Sequence, residues 1–424
     1  MKKIFLLLII SYIAVSTYAQ CDATKRPIVF VHGFLASGDS YARQIQRFTE
    51  AGYCNDRLFV FDWNSVSGNP KKTDSLLNAF INNVLSRTNA AQVDLVGHSA
   101  GGGLGRAYLM DSLHSEKVAH YVHLGSRKWT KDFSWFFNKR CLNIFSAGDK
   151  VMGSGAGMVE GAVNLDLIDK DHYEVATCLE SFEVMYKFLN GGSNPVVKKG
   201  MNNKNLQISG RAVLLGDNEP VTNGLINIYS LNQKNGTRLS KKPDAVFTVN
   251  EQGYWFGFRA AAKTYYEFEL IPGEKKQRVI SYFFEPFTAA NAHVYLRGFP
   301  QGNMIGMMLG GLPRKDDQSV VVVFSANKAM IAGRDSVTVN GTPVSSAALT
   351  PASKTIISSF IFDDGDTVTS GKAIKQFSAA PFMGGVDIYL PVSKKAVNKI
   401  FYNGRELVLP ASSCKERIML AVFN

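Results

Sequence analysis

The stretch "VDLVGHSAGGG", residues 93–103, sets a serine between glycines in the order Gly97-His98-Ser99-Ala100-Gly101. A serine hydroxyl is a weak nucleophile; it attacks a carbonyl carbon only when a base takes its proton and an acid orients that base. The G-x-S-x-G spacing suits such a serine. In a sharp turn from strand to helix, side chains at the flanking positions would collide with neighbouring backbone, and glycine avoids the clash while Oγ stays accessible. The same turn puts the Ala100 N–H at a helix start, where donor and dipole both favour a developing negative charge. Acyl transfer needs two donors aimed at one oxygen. "FVHGFLASG" supplies the second: a strand closes at His32-Gly33 and presents the Phe34 N–H, although the segment alone reads equally as an ordinary glycine turn.

Five histidines follow Ser99. His114 lies near the end of the helix after the serine and His120 and His123 alternate within the next strand, so these three read first as structural, and His293 falls in the β half of the chain. His172, in "DKDHYEVATCLESFEVMYKFL", stands on a loop before an amphipathic helix, where an imidazole can reach the strand ends. For the acid, Asp149 follows the strand "CLNIFSAGD" directly, whereas Asp166, Asp169 and Asp171 crowd the approach to His172. Strand-end placement favours Asp149, because sites in parallel sheets form at the carboxyl ends of the strands. The other three aspartates offer a calcium site or simply a solvated loop. No other cofactor is read from the sequence; nothing suggests a redox group, a nucleotide loop or nucleic-acid recognition.

These residues need a scaffold. From Arg26 to Leu189 the runs "PIVFVHG", "RLFVFDW", "VDLVGHS", "VAHYVHLG" and "CLNIFSAGD" alternate with amphipathic stretches at Tyr41 to Ala51, Thr73 to Arg87 and Gly101 to Leu113. Buried β-rich runs alternating with helices predict an α/β domain, a mostly parallel sheet covered on both faces. At "NGGSNPVVKKGMNNKN" a polar linker intervenes. Beyond it helices vanish, and runs such as "GLINIYSL", "YYEFELI", "RVISYFF" and "SVVVVFS" predict antiparallel, sandwich-like β domains. The expected division is a leader over 1–19, a catalytic α/β domain over 20–192, a linker over 193–205, a β-sandwich over 206–302 and a second β domain over 303–424.

On "VHGF" (31–34), "LVGHSAGG" (95–102), "SAGDKVM" (146–152) and "DHYEVAT" (171–177), residues 27–189 resemble the α/β-hydrolase superfamily, specifically small bacterial and archaeal lipases and carboxylesterases. The layout with a β half behind a minimal hydrolase domain is similar to archaeal-type lipases with a C-terminal β domain. The resemblance implies Ser99 as nucleophile, Asp149 as acid, His172 as base, the N–H groups of Phe34 and Ala100 as oxyanion hole, and Gly97, His98 and Gly101 as the turn around the serine. One departure is "HLGSRKW" after the fourth strand, where relatives often have a glycine-rich turn.

Context comes from the rest of the chain. "MKKIFLLLIISYIAVSTYAQC" has a basic start, an apolar stretch too short for the roughly 20 residues of a membrane span, and small residues near Ala19, the pattern of a secretory leader. Lipidation at Cys21 is a poorer match, since Tyr18 and Gln20 flank it badly. An exported protein permits disulfides, and Cys21 with Cys54 and Cys141 with Cys178 pair on adjoining elements of the expected fold. The formal charge of +12 is uneven: residues 1–192 hold 20 Lys and Arg against 18 Asp and Glu, residues 193–424 hold 27 against 17. A basic β half attracts anionic surfaces, or serves only as a solvated face. "GSRKWTKDFSWFFNKR" sets Trp129, Phe133, Trp135, Phe136 and Phe137 near the expected site, as an acyl pocket, a short lid or the core face of a helix.

Two functions fit. One is an exported serine ester hydrolase, a lipase or carboxylesterase cleaving esters of apolar acyl chains, with polyester depolymerase or amidase as variants of the same machinery. The other is an adhesin or an envelope- or carbohydrate-binding protein whose β domains do the work. On the first reading, removing residues 193–424 spares short soluble esters more than emulsions. Oligomeric state is not legible.

Overall fold

Five apolar runs of the first half form strands: β1 (Ile28–Val31), β2 (Leu58–Phe61), β3 (Val93–His98), β4 (Val118–Leu124) and β5 (Cys141–Phe145). A short, half-exposed sixth, β6 (Val163–Asp166), was not foreseen. In the computed structural model, which describes residues 21–66, 69–129, 140–196, 205–273, 277–393 and 395–424, they make one parallel sheet in the order β2-β1-β3-β4-β5-β6. The expected leader, and Phe133, Trp135, Phe136 and Phe137, lie outside the described residues.

The helices of this domain are α1 (Ala42–Glu50), α2 (Pro70–Thr88), α3 (Ala100–Leu109), α4 (Ser112–Ser115), α5 (Glu174–Thr177) and α6 (Leu179–Leu189). Local chemistry sets their ends. Asn69 caps α2, its side chain accepting from the Lys72 N–H at 3.1 Å with Pro70 at the first position, and Asn89 ends it at φ 51°. One face of the sheet packs on α1 and α6 through Phe30, Phe48, Val96, Phe182 and Met185; the other packs on α2 and α3 through Val31, Leu77, Ile81, Leu95 and Tyr108. Both faces are covered, as the continuous apolar strands required.

Cys21 and Cys54 form a disulfide, with Cα atoms 4.9 Å apart. Cys141 and Cys178 do not; both are free, correcting the expected second pair. The sheet separates them. Cys141 is buried on the α2/α3 face with Trp129 and Tyr121, whereas Cys178 caps α6, which packs on the opposite face, and accepts from the Ser181 N–H.

The second half contributes β7 (Asn205–Leu214), β8 (Leu225–Ser230), β9 (Ala245–Thr248), β10 (Tyr254–Ala261), β11 (Tyr266–Ile271), β12 (Val279–Phe284) and β13 (Asn291–Gly298). Then come a helix, α7 (Met304–Gly310), and the strands β14 (Val321–Ser325), β15 (Val337–Val339), β16 (Thr342–Pro343), β17 (Ser358–Phe362), β18 (Met383–Asp387), β19 (Val397–Tyr402), β20 (Arg405–Pro410) and β21 (Arg417–Phe423). Helix therefore does not vanish beyond the linker: Asn303 caps α7, which buries Ile305 and Leu309.

An eight-stranded sheet, β18-β17-β14-β21-β12-β11-β8-β9, is flanked by the three-stranded β10-β7-β13 and the four-stranded β16-β15-β19-β20. The expected purely antiparallel pairing holds only in part, because β7/β13, β12/β21, β14/β21 and β17/β18 run parallel. Between β7 and β13 the chain runs through β8, β9, β11 and β12 of the large sheet, and between β17 and β18 it returns through residues 363–382, so in each case the second strand keeps its neighbour's direction. The last strand, β21, lies between β12 and β14 and joins residues from both sides of position 303 in one sheet.

Period-two alternation gives this large sheet two different faces. Val321, Val323, Phe283, Met419 and Ala421 pack against the four-stranded sheet. Toward the other side point Tyr282, Phe284, Val322, Phe324, Leu420 and Val422, against the three-stranded sheet, α7 and the α/β domain. No helix among the described residues is long and apolar enough to cross a membrane.

Candidate active site

Ser99 stands at the carboxyl end of β3, immediately before α3, with φ 53° and ψ −121°. That conformation is strained for a residue with a side chain and survives only where the surroundings fix it. Here two glycines do so. A Cβ at Gly101 would lie 2.3 Å from the Val31 carbonyl oxygen, and one at Gly97 would lie 2.5 Å from that of Gly101. The Ser99 N–H donates to Leu124 O at 3.0 Å, and the Ser126 hydroxyl donates to Ser99 O at 2.7 Å. In this chain the departure "HLGSRKW" thus supplies a hydroxyl that braces the turn.

The structure brings Ser99, His172 and Asp149 into one hydrogen-bonded line. Ser99 Oγ lies 2.8 Å from His172 Nε2, and His172 Nδ1 lies 2.7 Å from Asp149 Oδ2. The second Asp149 oxygen accepts from the N–H groups of Val151 and Met152 at 2.9 and 3.0 Å. Burial alone would push the Asp149 carboxyl up; the His172 hydrogen bond and charge and the Met152 N–H outweigh it and hold the group below its ordinary value. With Asp149 ionised and accepting, Nδ1 carries the ring proton and Nε2 is free to accept from the serine.

The rival aspartates are placed elsewhere. Asp171 caps α5 through the Tyr173 and Glu174 N–H groups, while its other oxygen accepts from the Ala329 N–H and pairs with Arg334 in the β half. Asp166 accepts from the Ala147 N–H. With Asp169 they do not converge: among the described residues the one acidic group tight enough for an ion is Asp363, Asp364 and Asp387, far along the chain. His120 bonds Asp94, His123 sits between the Tyr121 hydroxyl and Arg127 O, and His114 stacks on Tyr108.

Gly33 abuts the serine; a Cβ there would be 3.1 Å from that of Ser99. On the loop that follows, the Leu35 N–H is taken by Ser65 Oγ at 2.9 Å, whereas the Phe34 N–H has no intramolecular acceptor among the described residues. Ala100 N–H, at the first position of α3, has no preceding turn to bond. Both donors therefore flank Ser99.

Two histidines hold this geometry. His98 Nε2 donates to the His172 carbonyl at 2.8 Å, and burial, then the neighbouring His172, push its pKa down to about 3, so the ring stays neutral. Buried His32 donates from Nδ1 to Gly33 O at 2.8 Å, while its Nε2 accepts from the Trp63 N–H and Asn218 Nδ2, both at 3.2 Å. His98 was legible only as part of the turn; its bond to the His172 loop was not.

The larger omission is the β half. Asn218, in a turn of "LLGDNEP", donates to Ala36 O and Trp63 O at 2.9 Å and accepts from Ser37 at 2.5 Å, pinning the loop that carries Phe34. Asp62 accepts from the Gly38 N–H, from Tyr295 at 2.7 Å and from Arg211; Arg297 pairs with Asp39 at 2.5 Å. Phe382 lies face to face with His172, the planes 6° apart. A narrow cleft of about 140 Å³ runs from Ser99, His172 and Phe34 along the large sheet, past Tyr282, Phe324, Phe360 and Leu420.

Trp129, the described member of the expected acyl pocket, is not in this cleft. It is buried on the α2/α3 face, its ring edge against His123 and its face toward Arg106, so the core reading of that residue is the one observed.

Residues 26–150 match the family model of the α/β hydrolase fold, residues 204–301 that of the lipase C-terminal domain, and residues 311–406 that of a further C-terminal domain. The first half of the chain thus has the α/β-hydrolase fold, and β-rich sheets follow it, the first of them within the match to the lipase C-terminal domain. Similar solved structures include the mature lipase BlEst2 of Bacillus licheniformis, 17% identical over 40% of this chain and 94% of that one, TM-score 0.33. The carboxylesterase CesB of Bacillus subtilis is 11% identical over 41% of this chain and 87% of that one, TM-score 0.30, and a carboxylesterase of the thaumarchaeon Nitrososphaera gargenis is 16% identical over 41% and 91%, TM-score 0.29.

Proposed function

We propose that the chain is an exported serine ester hydrolase acting on carboxylic esters of apolar acyl chains. The observation that carries this reading is the line Asp149–His172–Ser99 at 2.7 and 2.8 Å, opening into an apolar cleft. In the proposed reaction His172 Nε2 takes the Ser99 proton as Oγ bonds to the ester carbon. The carbonyl oxygen becomes an oxyanion held by the N–H groups of Phe34 and Ala100. Collapse breaks the bond to the alcohol, which leaves with the proton from His172. Water, deprotonated by the same nitrogen, then attacks the acyl-enzyme and releases the acid. The acyl chain lies along the face of the eight-stranded sheet, whose aromatic and branched side chains offer it no polar partner.

Export is supported by the leader-like first 19 residues and by the Cys21–Cys54 disulfide, which an oxidising compartment maintains. The basic β half favours an anionic surface as a partner in that setting. The test is hydrolysis of p-nitrophenyl esters from acetate to palmitate. Wild-type turnover should fall by at least about 10⁴-fold in Ser99→Ala and cease after a serine-directed phosphonate. A wild type with no turnover on any ester and no adduct on Ser99 would remove this reading.

A further inference from the structure

The outward face of the three-stranded sheet docks on the α/β domain through Arg211, Tyr295 and Arg297, and part of it lies beside α1. Between that face and α1 lies a second cavity of about 1,020 Å³, walled by Gln46 and Thr49 of α1 and by Gln207 and Ser209 of β7. It shares Ala42, Phe287, Asn291 and His293 with the Ser99 cleft, so the two spaces adjoin at those residues. Its chemistry is different. Among its polar side chains amides and hydroxyls prevail, Glu50 and Lys263 are its charged carboxylate and ammonium, and Gln207 and Ser209 make no side-chain hydrogen bond among the described residues.

The same face continues outward onto β10. Tyr254 pairs with Arg211 and Arg259 with Gln207, while the register shift between Trp255 and Phe258 leaves Phe256 and Gly257 opposite Ser209. Trp255 and Phe258 point into the sandwich core, and Tyr254 and Phe256 point out. Their rings lie 5.6 Å apart with planes 13° from parallel, and they are 39% and 61% exposed. The Arg211 guanidinium lies over the Tyr254 ring, 4.8 Å from its centroid, so the exposed ring that folding does not explain is Phe256, opposite the cavity-lining Ser209, since burial would stabilise it more.

The combination selects a ligand class. A pyranose has a face of C–H groups, which packs on the negative face of an aromatic ring, and an edge of hydroxyls that need donors and acceptors side by side. The neutral amides and hydroxyls of the cavity provide the second, and the Phe256 ring beside it the first. An acyl chain would leave the amides unpaired, and an anion would meet Glu50 along with Lys263. We propose that this cavity and the Phe256 ring beside it bind a sugar unit carried by the substrate, so that the preferred ester joins an acyl chain to a carbohydrate. The proposal rests on the ester-hydrolase reading for its chemistry and on this face for its specificity.

The experiment compares kcat/KM of the full-length mature protein on sucrose monooctanoate and on glycerol monooctanoate, with p-nitrophenyl octanoate alongside. Wild type should prefer the sucrose ester by about tenfold, equivalent to about 1.4 kcal/mol of added transition-state binding. Phe256→Ala and Ser209→Leu, both at surface positions, should each erase most of that preference. Equal rates on the two octanoates in wild type, or a preference that neither variant moves, would overturn the sugar subsite while leaving the hydrolase. Failure of all three esters would strike the hydrolase reading instead. The subsite is then judged by titrating sucrose monooctanoate into Ser99→Ala protein: binding weakened by Phe256→Ala supports it, and absence of binding overturns it.

Discussion

At the scale of single residues, Asp149 makes an argument about both rate and stability. Its folded-state pKa is held below the ordinary value. Folding therefore favours the ionised form, and the contribution is fully present above the unfolded carboxyl value of about 3.9 and is lost as pH falls through the lowered folded value. Urea unfolding from pH 7 down to 2.5 should show wild type losing stability more steeply below about pH 4 than Asp149→Asn, which cannot titrate there. The same substitution should lower kcat by about 10³- to 10⁴-fold, because an amide favours the wrong imidazole tautomer. Parallel stability curves for the two proteins would mean that Asp149 gains nothing from His172. Ser99, Asp149 and His172 could be named from sequence because strand ends and chain order constrain where such residues fall. His98 and Asn218 could not, since their partners, the His172 carbonyl and the Ala36–Trp63 loop, are set by contacts across 74 and 182 positions.

At the scale of elements, the turn from β3 into α3 depends on close approach more than on flexibility. A Cβ at Gly101 would overlap the carbonyls of Val31 and His32, so Gly101→Ala must push β1 away from α3. It should destabilise the protein by about 3 kcal/mol or more and abolish turnover. Gly103, two positions on in the same helix, is the control. Nothing lies within 4 Å of a Cβ there, and Gly103→Ala should stabilise by about 0.5–1 kcal/mol through helix propensity. Denaturant midpoints of the two variants decide the matter, and similar values would mean the glycines only ease folding. The strands β1 to β5 were legible because full burial on both faces leaves continuous apolar runs. By contrast β6 and β20, four and six residues with polar members, carry no such signal. Parallel pairing in the β half was equally hidden, because alternation reports a strand's two faces and not its neighbour.

At the scale of the whole molecule, the two halves are not a catalytic unit and an accessory. Asn218, Arg211, Arg297 and Phe382 reach from the β half to the loop of Phe34, to Asp62, to Asp39 and to His172. Removing residues 193–424 would strip the cleft of its sheet wall and leave Asp62 and Asp39 without their arginines, so short and long esters should lose activity together. This reverses the order expected from sequence, where the linker suggested independence. The acyl chain's location can be tested without dismantling the protein. Leu420 lies on the cleft side of β21, while its neighbours Met419 and Ala421 face the opposite core. Leu420→Trp adds bulk to the cleft and nothing to that core. If the acyl chain runs along this sheet, kcat/KM on palmitate esters should fall by about tenfold or more relative to acetate, the scale of excluding a few methylenes at about 0.8 kcal/mol each. Thermal unfolding should show one transition close to that of wild type. A uniform loss on all chain lengths with the transition unchanged would mean that the sheet face shapes Ser99 and His172 but does not hold the acyl chain.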